Sequence, residues 1–167
     1  NTAGLLQQRA QTTGKEATAQ TSTGLTVMSV TGDVNSTYDT VTDIHIVVKL
    51  RAGSEDVDLG KAVIVYTDDD THAELTNGST ANNDTFATIP IQDDDSSWSV
   101  LNSREDVFMI NLSLADIRAG TDGATGDHGL GESKEATIEI IPETGATTTY
   151  TITVPDSVNG LTKVDLT

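Results

Sequence analysis

The chain has 167 residues, the size of a single domain that can bury a core without covalent staples, and it contains no cysteine, which excludes disulfides and thiolate metal sites. Acidic residues outnumber basic ones 26 to 9, giving a formal net charge of −17. Such a surface repels nucleic acid and anionic membranes, so neither is expected as a partner. The acid is mostly aspartate (18 Asp against 8 Glu), lysine is scarce at five, and apolar runs of β type interrupt the acidic stretches, which argues against disorder. A folded chain tolerates this self-repulsion best where salt screens it, over roughly 3 Å at 1 M. The composition reads as adaptation to hypersaline solvent; a calcium-rich habitat or an acidic surface fibre is the rival reading.

Residues 1–23, NTAGLLQQRAQTTGKEATAQTST, lack β alternation and carry helix formers with a thin stripe of Leu6, Ala10 and Ala17. They read as the polar end of a helix and a linker, with the apolar part expected upstream of Asn1, or as a frayed arm. Residues 24–167 read as one β domain. LTVMSV opens it, followed by DIHIVVKLR, in which Ile44, Ile46, Val48 and Leu50 alternate with His45, Val47, Lys49 and Arg51. KAVIVY and TFATIPI are further strands. VFMINLSL sends Phe108, Ile110, Leu112 and Leu114 inward and Met109, Asn111 and Ser113 outward. SLADIRAG predicts a helix of one or two turns ending at Gly120. Ile138 and Ile140, then Tyr150, Ile152 and Val154, mark the last inward positions. At least seven short strands divided by Gly-, Asn- and Asp-rich turns predict an antiparallel β-sandwich. DDDTHAELTNGSTANND and RAGTDGATGDHGLGES read as long surface loops.

No nucleotide-binding, nucleophile-elbow, zinc-protease or EF-hand pattern is present, and no catalytic residue is assigned. His45, His72 and His128 show no ligand spacing. The triplets Asp68-Asp69-Asp70 and Asp93-Asp94-Asp95 offer hard oxygen ligands but lack the order that would gather several around one ion. They read chiefly as solvated surface, with a structural cation such as Ca²⁺ and carboxylate catalysis as alternatives; metal ligands stay unassigned and no cofactor is expected. Hydrolysis by paired carboxylates would need a groove, and one Trp and two Phe supply few stacking platforms for sugars. Trp98 reads as a core or edge-packing residue. Asn35, Asn77, Asn83 and Asn111 each open an N-x-Ser/Thr sequon and are the glycosylation candidates of an exported chain.

The two ends carry a family resemblance. Asn1-Thr2-Ala3-Gly4, Leu6-Gln7 and Gly32-Asp33-Val34-Asn35 resemble the segment after the hydrophobic helix of haloarchaeal archaellins, the archaeal flagellins. Val154-Pro155-Asp156, within TTTYTITVPDSVNGLTKVDLT, is similar to their closing strand and turn. The resemblance is specific at both ends and loose between them. It implies a mature apolar helix, absent from the chain as given, that bundles in a filament core, and an Ig-like outer β domain at residues 24–167. It further implies export across the membrane with a pilin-like leader, identical or paralogous subunits as partners in a helical filament on the cell surface, a role in swimming and attachment, and N-glycans on Asn35, Asn77, Asn83 and Asn111. Some members of the family bind a metal ion in the outer domain, but no ligand set transfers to this sequence residue by residue. A chain without the apolar helix is expected to stay monomeric or weakly associated. A pilin or cell-wall-layer module is the alternative reading, and a secreted carboxylate-dependent hydrolase a more distant one.

Overall fold

The computed structural model describes residues 23–119 and 128–167. The helix end expected before the β domain falls on residues 1–22, outside the described residues. In chain order the elements are β1 (Leu25–Asn35), β2 (Thr40–Leu50), β3 (Val57–Asp58), a 3-10 turn (Leu59–Lys61), β4 (Val63–Thr67), β5 (His72–Gly78) and β6 (Thr85–Gln92). Then come β7 (Val100–Leu101), β8 (Val107–Ser113), α1 (Leu114–Ala119), β9 (Leu130–Gly131), β10 (Glu135–Ile141), β11 (Thr148–Thr153) and β12 (Lys163–Asp165).

Period-two alternation decides what is buried. Ile44, Ile46, Val48, Phe108, Ile110, Leu112, Ile138, Ile140, Ile152 and Val154 all face the interior, as their spacing predicts. Phe86, Tyr66 and Leu75 complete the centre of the same cluster. The layers expected of a sandwich are joined here as one sheet. Its order is β11-β10-β4-β5-β6-β8-β2-β1-β12, with β9 added beside β2, while β3 and β7 form a separate small pair. Pairing is antiparallel except between β5 and β6, which run parallel through Thr76–Gly78 and Thr85–Ala87.

The sheet curls until its edges meet. Ala146 N–H donates to the Thr23 carbonyl at 2.9 Å. Thr148 Oγ1 donates to Leu25 O at 3.5 Å and Tyr150 OH to Leu166 O at 3.4 Å. The β11 edge is thereby tied to the β1 and β12 side instead of being left open as a template for other chains. Gly145 makes the approach feasible: its φ is +113°, and a Cβ there would stand 2.7 Å from the Thr23 carbonyl oxygen. Met28 marks a second local device, a bulge where the β1–β2 register shifts between Val27 and Ser29.

Two local expectations change. His72–Gly78 is a strand, not loop, because it is held on both sides by β4 and β6 although only Leu75 in it is fully buried. A strand with one inward apolar residue gives no readable alternation. Ser113, expected on the outward face, is buried at the point where β8 turns into α1. The short helix itself stands where the sequence puts it, with Asp116 in its first turn and Arg118 in its last, both favourable to its dipole.

Ile110 is fully buried at the centre of this cluster. Its truncation to Ala is expected to cost about 2–5 kcal/mol through lost transfer energy and the cavity left behind, measurable by chemical denaturation with an unchanged denaturant slope.

Candidate functional site

The two aspartate triplets are organised differently from a hydrated surface. Asp68 has a fully buried side chain. Its Oδ1 accepts the backbone N–H groups of Asp70 at 2.9 Å and Thr71 at 2.8 Å. Its Oδ2 accepts Tyr66 OH at 2.7 Å and Arg118 Nη1 at 2.9 Å. Asp69 binds Lys134 Nζ at 2.8 Å, and Asp70 lies 3.9 Å from Arg118. The triplet therefore fastens the β4–β5 turn to α1 and to the residue preceding β10. Chain order hid this knot, since Arg118 lies fifty positions from Asp68.

The second triplet shapes a loop. Asp93 Oδ1 accepts Ser97 N–H at 3.1 Å and its Oδ2 accepts Trp98 N–H at 3.3 Å. Asp95 accepts Ser97 N–H at 3.0 Å and Asn102 Nδ2 at 2.7 Å. These bonds hold a turn in which Ser96, Trp98 and Ser99 have φ of 57°, 42° and 69°, a conformation that needs such over-determination in residues other than glycine. Trp98, expected to pack into the core or an edge, is instead 73% exposed. The turn's hydrogen bonds fix its backbone and leave the indole outside.

The sequon asparagines lie on different surfaces. Asn35 ends β1 and accepts the Thr37 N–H at 3.0 Å. Asn77 lies in β5 and donates through Nδ2 to Thr88 Oγ1 at 2.7 Å. Asn83 is exposed between β5 and β6. Asn111 is in mid-strand on β8, facing outward and half-buried, with its Oδ1 buried and unpartnered. His45 Nε2 stands 3.1 Å from Asp33 Oδ2, and His72 Nδ1 3.0 Å from Thr67 Oγ1; with His128 beyond β8 and α1, the three do not form one group. An open hollow of about 610 Å³ is lined by His72, Glu74, Asp84, Asp116 and Ile117. Among the described residues no three His, Asp or Glu side chains converge as a metal-binding group.

Environment shifts several of these groups. Burial, then the hydrogen bond and negative charge of Asp68, push the Tyr66 phenol far above its usual range. Partial burial would raise Asp33, but hydrogen bonds and charge from Lys163 and His45 outweigh it and hold the carboxyl below its usual value. The hydrogen bond from Lys134 lowers Asp69, and those from Asn102 and Ser97 lower Asp95.

Comparison with known proteins places this architecture. Residues 1–152 match the family of archaeal-type flagellins. Flagellin A2 of Haloferax volcanii is 30% identical over 179 residues, which cover 98% of this chain and 81% of that one. The crystal structure of archaeal flagellin FlaB1 from Methanocaldococcus jannaschii is similar with a TM-score of 0.73 at 20% identity, covering 86% of this chain and 96% of that one. The archaeal flagellum of Methanospirillum hungatei strain JF1 gives 0.66 at 19% identity, covering 95% and 82%. The chain belongs to the archaeal-type flagellin family. It is a structural subunit of an extracellular motility filament, and the haloarchaeal relative fits its acidity.

Two outcomes follow from these charges. Tyr66 has a folded pKa above its unfolded value of about 10, so its stabilising effect is whole below that pH and is lost as pH rises beyond it. Replacing it with Phe should cost about 1.5–3 kcal/mol at neutral pH, the range for a hydrogen bond to a charged group, and flatten the alkaline decline in denaturation midpoint. Asp33 acts in the opposite direction: its stabilisation stands above pH 3.8 and drains as pH falls below that value. Separately, a net charge of −17 predicts that the melting temperature rises with potassium chloride at fixed pH as repulsion is screened; a flat series would reject the adaptation to salt.

Proposed function

We propose that this chain builds the archaellum filament together with identical or paralogous subunits, its acidic β domain turned outward and its assembly preceded by passage across the membrane. The observation that carries the reading is family membership over nearly the whole β domain, on a fold whose charged clusters bind its own backbone and cations. Asp68, Asp93 and Asp95 spend their oxygens on internal donors, which supports a structural and not a catalytic role. A nucleic-acid partner is disfavoured by the same net charge. A structural Ca²⁺ would have to bind against those occupied oxygens, and a saturable rise in melting temperature at low millimolar calcium, at constant ionic strength, is the result that would support one.

N-linked glycan is proposed on at least two of Asn35, Asn77, Asn83 and Asn111 in the native host. Filaments sheared from cells are the test material. Peptides of this chain should be abundant in them, glycopeptides should map to the sequons, and deletion of the gene should shorten the filaments or impair swimming. Filaments free of the chain in cells that express it would overturn the reading in favour of a pilin or cell-wall-layer module.

A further inference from the structure

The outer face of β6-β8-β2-β1 departs from the rest of the surface. Register places three neighbouring rows across these strands. The first contains Thr31, His45, Asn111 and Ala87; the second Ser29, Val47, Met109 and Ile89; the third Thr26, Lys49, Val107 and Gln92. None of these twelve residues is a carboxylate, in a chain with 26 of them. The middle row is apolar from Val47 to Ile89, and the bulged Met28 lies beside it, 48% exposed. Ile89 is 40% and Ile91 56% exposed. Beyond them the loop held by Asp93 presents Trp98, which with Pro90, Ile91, Ser96 and Asp93 itself lines an open hollow of about 260 Å³. Lys49 has no ion-pair partner among the described residues. Carboxylates resume at the margins, with Asp33 and Asp43 one row beyond His45, Asp165 beside Thr31 on β12, and Asp93 and Glu105 past the opposite end.

We infer that this face, centred on Val47, Met109 and Ile89 and rimmed by Ile91 and Trp98, is a contact surface for a second copy of this chain. Charge selects that occupant. Two copies at −17 repel over most of their area, and this face is where one can approach without setting carboxylate against carboxylate. The acidic surface of the incoming copy also supplies what Lys49 lacks. Concentrated salt acts twice in favour of such a contact: it screens the margins and leaves apolar burial as the driving term. Four strands about 4.8 Å apart and rows about 7 Å apart give a patch of roughly 14 Å on each side. That is well below the ~800 Å² per partner of a stable complex, so the contact is weak in dilute solution and gains strength where a filament already holds the copies together. Asn111 lies within the face, so a glycan on it and this contact exclude one another.

The inference rests on the chain being a filament subunit, but its test is separate from that reading, since the presence of the chain in filaments does not depend on which face it uses. The 167-residue chain is measured in molar potassium chloride by sedimentation and by the emission of Trp98, its single tryptophan. The sedimentation coefficient should rise with concentration while the emission moves to shorter wavelength. Ile89→Glu and Thr26→Glu should each weaken association roughly tenfold or more by setting a carboxylate in the face, whereas Ile141→Glu, on β10, should not. Thr26 is exposed and apolar packing is untouched by its substitution, so that variant keeps the test decisive if Ile89→Glu does not fold. No association of the parent chain at any concentration, equal loss in Ile141→Glu, or native filaments with Asn111 fully glycosylated would each overturn the inference. So would a lower melting temperature in Thr26→Glu with unchanged sedimentation, which would put a segment of the same chain on the face.

Discussion

A sheet with one apolar face must bury that face on something, and among the described residues it has little but itself. The helix α1 is six residues long and covers little of the sheet. The sheet therefore curls, and the rest of the structure depends on the seam where it closes. Ala146 reaching Thr23, Thr148 reaching Leu25 and Tyr150 reaching Leu166 join the chain's last strands to its first. The seam exists because Gly145 can take a positive φ with no Cβ to strike the Thr23 carbonyl. Closure converts alternating strands into an enclosed core and removes the β11 edge that an uncurled sheet would offer to neighbouring copies.

Acidity divides into two kinds. Most carboxylates are solvated and repel one another, which makes salt part of the stability of the domain. A smaller set acts as internal acceptors. Asp68 takes four donors in a buried position, and burying an ion in this way is tolerable only because its lone pairs are satisfied and Arg118 lies beside it. Asp93 and Asp95 do the same for a strained surface turn. A run of three aspartates in sequence is thus compatible with solvation, ion pairing and loop shaping at once, and the residue-by-residue geometry separates them.

A filament subunit on a cell surface needs solubility before assembly and contacts after it. The distribution of charge on this chain meets both needs. Carboxylates are spread over the other surfaces, while the three outer rows that run from Thr31, Ser29 and Thr26 on β1 to Ala87, Ile89 and Gln92 on β6 carry none. Lys61 with Glu143, Lys134 with Asp69 and Lys163 with Asp33 consume cations on pairs at the surface, each worth little singly. Lys49 is spared from this and stands within the carboxylate-free rows.

The all-β class, the inward set from Ile44 to Val154, the short helix ending before Gly120 and the family were legible in the sequence. Alternation with period two and the motifs at the two ends are local signals, and local signals survive in a linear string. Tertiary structure decided the rest. Whether facing strands form two sheets or one curled sheet depends on the parallel β5–β6 pair, and β5 has a single fully buried apolar residue to announce it. The exposure of Trp98 follows from two carboxylates capping the backbone of its turn, which composition around it does not reveal. The Tyr66–Asp68–Arg118 knot and the carboxylate-free rows are products of register, and register is fixed by pairing between residues far apart in the chain. A sequence states which residues face inward; only the closed sheet states which of the outward ones become neighbours.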